Sequence, residues 1–138
     1  MEQTVVELSQ RQRVWLTPQA TAPRLARDFL ARVCAEWHVE RYTDVGRLVI
    51  SELVTNAVLY SGTAIGVELS LEQGRLYLSV HDGGAGMPAL VPPEKRTLGG
   101  VGLDLVSRMA QSWGVTPDPR GGKSVWCVLS AESVRRPA

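Results

Sequence analysis

The sequence predicts an α+β domain of two layers, with helices on one face of a mixed, mostly antiparallel sheet. Three observations carry that prediction. Two stretches in the first 60 residues place apolar side chains at helical spacing. Residues 65–71 and 76–80 alternate apolar and polar around a polar turn, the pattern of a β-hairpin with one buried face. A segment rich in glycine and proline then leads into one more helix and a closing hairpin. The resulting order, β-α-α-β-β-loop-α-β-β, gives the helices one sheet face on which to bury their apolar stripes.

Each element has a local cause. "VWL" (14–16) is a short strand ended by "TPQATAP". Pro23 suits a first helical turn, where its missing N–H costs nothing. Leu25, Ala26, Phe29, Leu30, Val33, Cys34 and Trp37 follow at helical spacing. Thr43 reads as the N-cap of a second helix that runs to about Tyr60. "EQGR" turns the hairpin, "HDGGAGMPALVPPEKRTLGG" reads as a long loop, and a helix covers about Val101 to Gln111. Two strands near 113–116 and 123–130 flank the turn "PDPRGGK". Trp15, Trp37, Trp113 and Trp126 read as core or sheet packing.

At 138 residues the chain is long enough for one core. It reads as a domain over 13–130, with an N-terminal tail (1–12) and a C-terminal tail (131–138). A formal net charge of +1 without a long basic run argues against a nucleic-acid surface. Cys34 and Cys127 lack metal-type spacing. The first residues lack a signal-peptide pattern, and no apolar run reaches the length of a membrane span. The expectation is a cytoplasmic protein with reduced thiols, no direct nucleic-acid contact and no membrane contact.

"VISELVTNAVLYS" (49–61) holds the first candidate site residues. With each helical residue advancing about 100°, Arg47, Ser51 and Thr55 form the solvent arc. Glu52 and Asn56 fall opposite it, between Val45, Val49 and Leu59. A carboxylate facing inwards needs a partner, water or an ion. Alone, the pair also suits a structural cap on a neighbouring loop. Next, "VHDGGAGMP" (80–88) delivers Asp82 at a strand end, able to accept two hydrogen bonds, for instance from an exocyclic amine. Gly83, Gly84 and Gly86 behind it permit close backbone approach, although D-G-G is also a common turn. His81 falls on the sheet's other face by alternation. "LGGVGLDLV" (98–106) sets Gly99, Gly100 and Gly102 at a helix start, whose free N–H groups suit an anion. "GGKSVW" (121–126) reads by itself as a turn and a strand.

In this order the four stretches resemble the GHKL ATPase superfamily, whose Bergerat fold is shared by histidine kinases, DNA gyrase and related proteins. "ELVTNAV" resembles its N box, "DGGAG" and "GGVGL" its two glycine boxes, and "GGKSVW" its last motif, so the likeness spans about residues 13–130. Within the superfamily the chain resembles small actinobacterial proteins related to anti-sigma-factor serine/threonine kinases. The resemblance implies ATP and Mg²⁺ as cofactors. It puts Asp82 on the adenine amine, with Gly84 and Gly86 close to base and sugar. Asn56 would hold Mg²⁺, and Glu52 would be the general base. Gly100 and Gly102 would meet the phosphates, Ser124 the adenine side, and Met87 and Leu103 would complete the nucleotide contacts. The implied partners are an anti-sigma-factor antagonist, which would be phosphorylated on Ser or Thr, and a sigma factor. A partner-switching module that holds ATP or ADP without phosphoryl transfer is the alternative. Relatives often form homodimers, so the resemblance also allows a homodimer. Val101 and Tyr60 stand where relatives frequently carry Arg, or His and Arg, and the segment 87–98 is short. Its Lys95 and Arg96 read as solvated loop charges.

Overall fold

A computed structural model describes residues 10–84 and 100–135, with side chains of 100–103 and 135 outside that description. Strand β1 (Arg11–Leu16) is followed by helix α1 (Ala22–Glu36), a 3-10 turn (Glu40–Tyr42) and helix α2 (Thr43–Tyr60). Then come β2 (Ile65–Glu72), β3 (Arg75–Asp82), helix α3 (Gly100–Met109), β4 (Ser112–Pro117) and β5 (Lys123–Leu129). A 3-10 turn over Ser133–Arg135 closes the described chain.

The strands form one five-stranded sheet in the order β1-β2-β3-β5-β4. All four pairings are antiparallel, so the described sheet has no parallel component of the kind the sequence reading allowed. β5 lies between β3 and β4 although it follows both. Its Val125, Cys127 and Leu129 are buried, whereas β4 is partly or fully exposed throughout. The strand with the more apolar inner face takes the interior position, which removes more apolar area from water.

The period of two sorts the sheet into faces. Inwards, Ile65, Val67, Leu69, Leu76, Leu78, Val80, Val125, Cys127 and Leu129 join Ala26, Leu30, Val33, Ile50, Leu53, Val54 and Val106 in one core. Both cysteines are free and buried in it, and burial pushes the Cys127 thiol up to about 12. They are packing residues. The outer face carries Trp15, Glu68, Ser79, His81, Ser124 and Trp126. Trp15 is 56% exposed and meets His81 edge-on, ring centroids 6.2 Å apart, so of the two roles the sequence suggests, core or sheet packing, it takes the second.

α1 ends in a Schellman motif. His38 has φ 58, its N–H donates to Ala35 O, and the Val39 N–H donates to Cys34 O. This left-handed residue turns the chain sharply back towards α2. Thr43 is the first residue of α2 rather than its cap; Tyr42 holds the cap position without a side-chain bond. Tyr42 is instead fully buried, its hydroxyl donating to Gly74 O in the β2–β3 turn. The segment read as a C-terminal tail also contributes to packing, since Ser133 is buried and Val134 lies against the core. Among the described residues, no helix is long and apolar enough to cross a membrane.

The left-handed backbone at residue 38 gives the first prediction. His38→Gly removes a Cβ from a conformation that costs an L-residue about 1 kcal/mol. The variant should unfold at a higher urea midpoint with an unchanged slope. A lower midpoint would mean that the imidazole contributes more than its backbone costs.

Candidate functional site

The end of β3 and the start of β5 build one half of the site. Asp82 pairs with Lys123 in the antiparallel register, and His81 pairs with Ser124. Directly opposed residues point to the same face. Asp82 and Lys123 therefore share the inner face, and His81 and Ser124 the outer one.

Asp82 is 3% exposed and Lys123 7%. Asp82 Oδ1 accepts from Lys123 Nζ at 2.9 Å and from the Gly84 N–H at 2.8 Å. The turn after α2 braces this loop: the Gly83 N–H donates to Thr63 Oγ1 at 2.7 Å, and the Thr63 N–H donates to Ser61 Oγ. Two glycines permit the close approach. A Cβ on Gly84 would lie 2.8 Å from Ser61 Cβ, and one on Gly122 would strike Asp82 O and lie 2.8 Å from Gly83 Cα. Gly122 also has φ +87, a conformation that favours glycine.

The other half lies on α2. Its buried stripe is Gly46, Val49, Ile50, Leu53, Val54 and Ala57, and Glu52 and Asn56 flank it, both half-buried. Leu59, which the sequence reading set beside them, is instead 47% exposed. Glu52 Oε2 and Asn56 Oδ1 are shielded from solvent and accept no hydrogen bond among the described residues. Each orphaned buried acceptor costs about 1–3 kcal/mol. Burial also raises the Glu52 carboxyl above its ordinary 4.5. Two unpaired acceptors one turn apart on one helix edge suit a hard cation or a hydrogen-bond donor. Among the described residues, no cluster of three His, Cys, Asp or Glu side chains exists. A cation held here would take few protein ligands, the habit of Mg²⁺ beside phosphate.

The remaining predicted residues divide as follows. Gly100 and Gly102 occupy the first turn of α3, where backbone N–H groups have no intrahelical partner. Leu103 lies on the same helix, with its side chain outside the described residues. Gly86 and Met87 lie outside the described residues altogether, as do Gly99, Lys95 and Arg96. Ser124 requires a correction. It stands on the outer face, Oγ 3.2 Å from His81 Nδ1, because alternation along β5 sends it away from Asp82. The residue the sequence reading missed is Lys123. Its signal was present in the phase it shares with Val125, Cys127 and Leu129, but an inward lysine is unusual without a partner. Only the strand register supplies that partner.

Residues 43–133 match the family model of histidine kinase-, DNA gyrase B- and HSP90-like ATPases. The chain belongs to this family and carries its ATP-binding domain. Its fold is similar to the histidine kinase domain from Erythrobacter litoralis EL346 blue-light activated histidine kinase, with a TM-score of 0.55 and 19% identity. That match covers 79% of this chain and 62% of the other, so the chain spans less than two thirds of that domain's length. No curated protein matches the chain.

Two predictions come from this geometry. The folded state favours the neutral Glu52 carboxyl, so its contribution is present below pH 4.5 and is lost as pH rises through the raised value. Glu52→Gln should therefore gain stability over wild type between acid and neutral pH, measured by urea unfolding across that range. A pH-independent difference would contradict the burial of this carboxyl. Ser124→Ala should leave nucleotide affinity within about twofold of wild type by calorimetry, as expected of a surface substitution.

Proposed function

We propose that the protein binds Mg·ATP and transfers the terminal phosphoryl group to a serine or threonine hydroxyl of a small antagonist protein. In this reading it sequesters a sigma factor when not engaged with that antagonist. The observation that carries the proposal is the pair of orphaned acceptors, Glu52 Oε2 and Asn56 Oδ1, on one edge of α2. Adenine binding alone requires neither. Their burial without a partner has a use if a cation and an acceptor hydroxyl fill the space.

Asn56 Oδ1 would hold Mg²⁺, with Glu52 beside it. When bound, Mg²⁺ neutralises charge on the phosphate oxygens. The first turn of α3 offers backbone N–H groups to the same phosphates, aided by the helix dipole. Asp82 anchors the base. Glu52 takes the proton of the attacking hydroxyl as its oxygen bonds to phosphorus, while the bond to ADP breaks and its electron pair leaves with ADP. A carboxyl raised by burial is a better proton acceptor once ionised, because its affinity lies closer to neutral pH. A hydroxyl acceptor needs such a base, since it is a weak nucleophile at its own pKa. Phosphoryl transfer asks mainly for positioning and charge neutralisation, so a small constellation suffices.

Calorimetric titration with ATP, with and without Mg²⁺, tests the site. Wild type should saturate, Asp82→Asn should weaken binding at least about tenfold, the order of one charge-assisted hydrogen bond, and Asn56→Ala should abolish the Mg²⁺ response. With a candidate antagonist, Glu52→Ala should keep ATP binding and lose phosphate transfer. Antagonist binding without transfer by the wild type would replace the kinase reading with that of a partner-switching module.

A further inference from the structure

We propose that Lys123 reads the base directly: its ammonium donates to ring nitrogen N1 of adenine while Asp82 accepts from the exocyclic amine. The proposal deepens the nucleotide reading above and rests on it.

The side chains of Lys123 and Asp82 are 8% and 4% exposed, with Nζ 2.9 Å from Oδ1. Oδ1 also accepts the Gly84 N–H, so both of its lone pairs are engaged. Among the described residues, Oδ2 accepts no hydrogen bond and Lys123 Nζ uses one of its three donors. A buried ammonium with two idle donors is costly, and a buried ion pair seldom stabilises a fold more than apolar residues of similar volume. Val125, Cys127 and Leu129 line the same face of β5 as buried apolar residues. An apolar residue at position 123 would match them at lower cost. The lysine is better explained by a ligand that uses what the pair leaves open.

What the pair leaves open is a carboxylate acceptor beside an ammonium donor. The complementary ligand edge presents a donor next to an acceptor, as adenine does with its 6-amino group and the adjacent N1. Lys123 then has two functions in one position. It balances the Asp82 charge, and it supplies the N1 contact when the base binds. Binding at N1 needs only a small rotation of the ammonium about its own stem, because the three N–H donors are equivalent. The strand register keeps the lysine in place throughout, since residue 123 is held opposite residue 82 by the ladder.

The test compares ADP with 1-deaza-ADP, which keeps the amine and lacks the N1 acceptor. The diphosphate avoids turnover during titration. The wild type should bind ADP at least about tenfold more tightly, the order of a hydrogen bond to a charged group. Lys123→Met should bind the two ligands equally, and Lys123→Gln, which restores an N–H donor, should recover part of the preference. Equal affinities in wild type would overturn the proposal, as would a preference that persists in Lys123→Met. Tighter ADP binding by Lys123→Met would also overturn it, by showing that the lysine competes with the base for Asp82. If Lys123→Met fails to fold, the wild-type comparison decides alone. Failure of the folded wild type to bind either ligand would remove the nucleotide reading itself, an outcome separate from loss of discrimination.

Discussion

The antiparallel pairing of β3 with β5 is the constraint on which the site depends. One register sets Asp82 against Lys123 on the helix side and His81 against Ser124 on the solvent side. A slip of β5 by one residue would set Ser124 or Gly122 opposite Asp82 instead of Lys123 and break the buried ion pair. The core resists that slip, because the same shift would turn Val125, Cys127 and Leu129 of β5 out to water. Hydrophobic alternation thus holds a polar site in position.

The site residues on α2 show the opposite relation between fold and chemistry. The helix is central to the core, with Val49, Ile50 and Val54 fully buried. Glu52 and Asn56 sit at the edge of that stripe, where the packing closes off Glu52 Oε2 and Asn56 Oδ1 without giving them partners among the described residues. Such a defect lowers stability and would be removed by apolar replacements if folding were the only demand. Local rules broken without a structural gain are what a functional site produces. The Ser61–Thr63 turn then ties the end of this helix to the loop behind Asp82 through the Gly83 N–H. The two halves of the site are therefore joined through a few backbone atoms as well as through the core.

The outer sheet face is built by different rules. Its Arg11 and Arg13 both meet Glu68, and its aromatic rings lie over glycines: Trp15 covers Gly66, and Trp126 covers Gly114. A cavity of about 310 Å³ opens there between Arg13, Trp15, His81, Arg120 and Ser124. Its ion pairs are exposed and of small energetic weight. Every inner-face residue of β3 has an outer neighbour one position away, so the candidate site and this polar surface occupy adjacent rungs.

Residue periodicity alone determined the two layers, the three helices and the β2–β3 hairpin, because burial on one face imposes spacings of 3.6 and two that are visible in one dimension. The motifs around Glu52, Asn56, Asp82, Gly84 and Gly100 were legible for a related reason. Polar or conformationally special residues interrupt patterns that packing would otherwise leave uniform. The sequence could not show that β5 lies between β3 and β4, since strand order depends on competition for the interior position. Nor could it show which residue of "GGKS" faces Asp82. The resemblance put Ser124 on the adenine side, whereas the register sets Lys123 opposite Asp82. A buried lysine reads as improbable until the carboxylate that balances it is seen 41 positions away in the chain, and only tertiary structure brings those two charges within 2.9 Å.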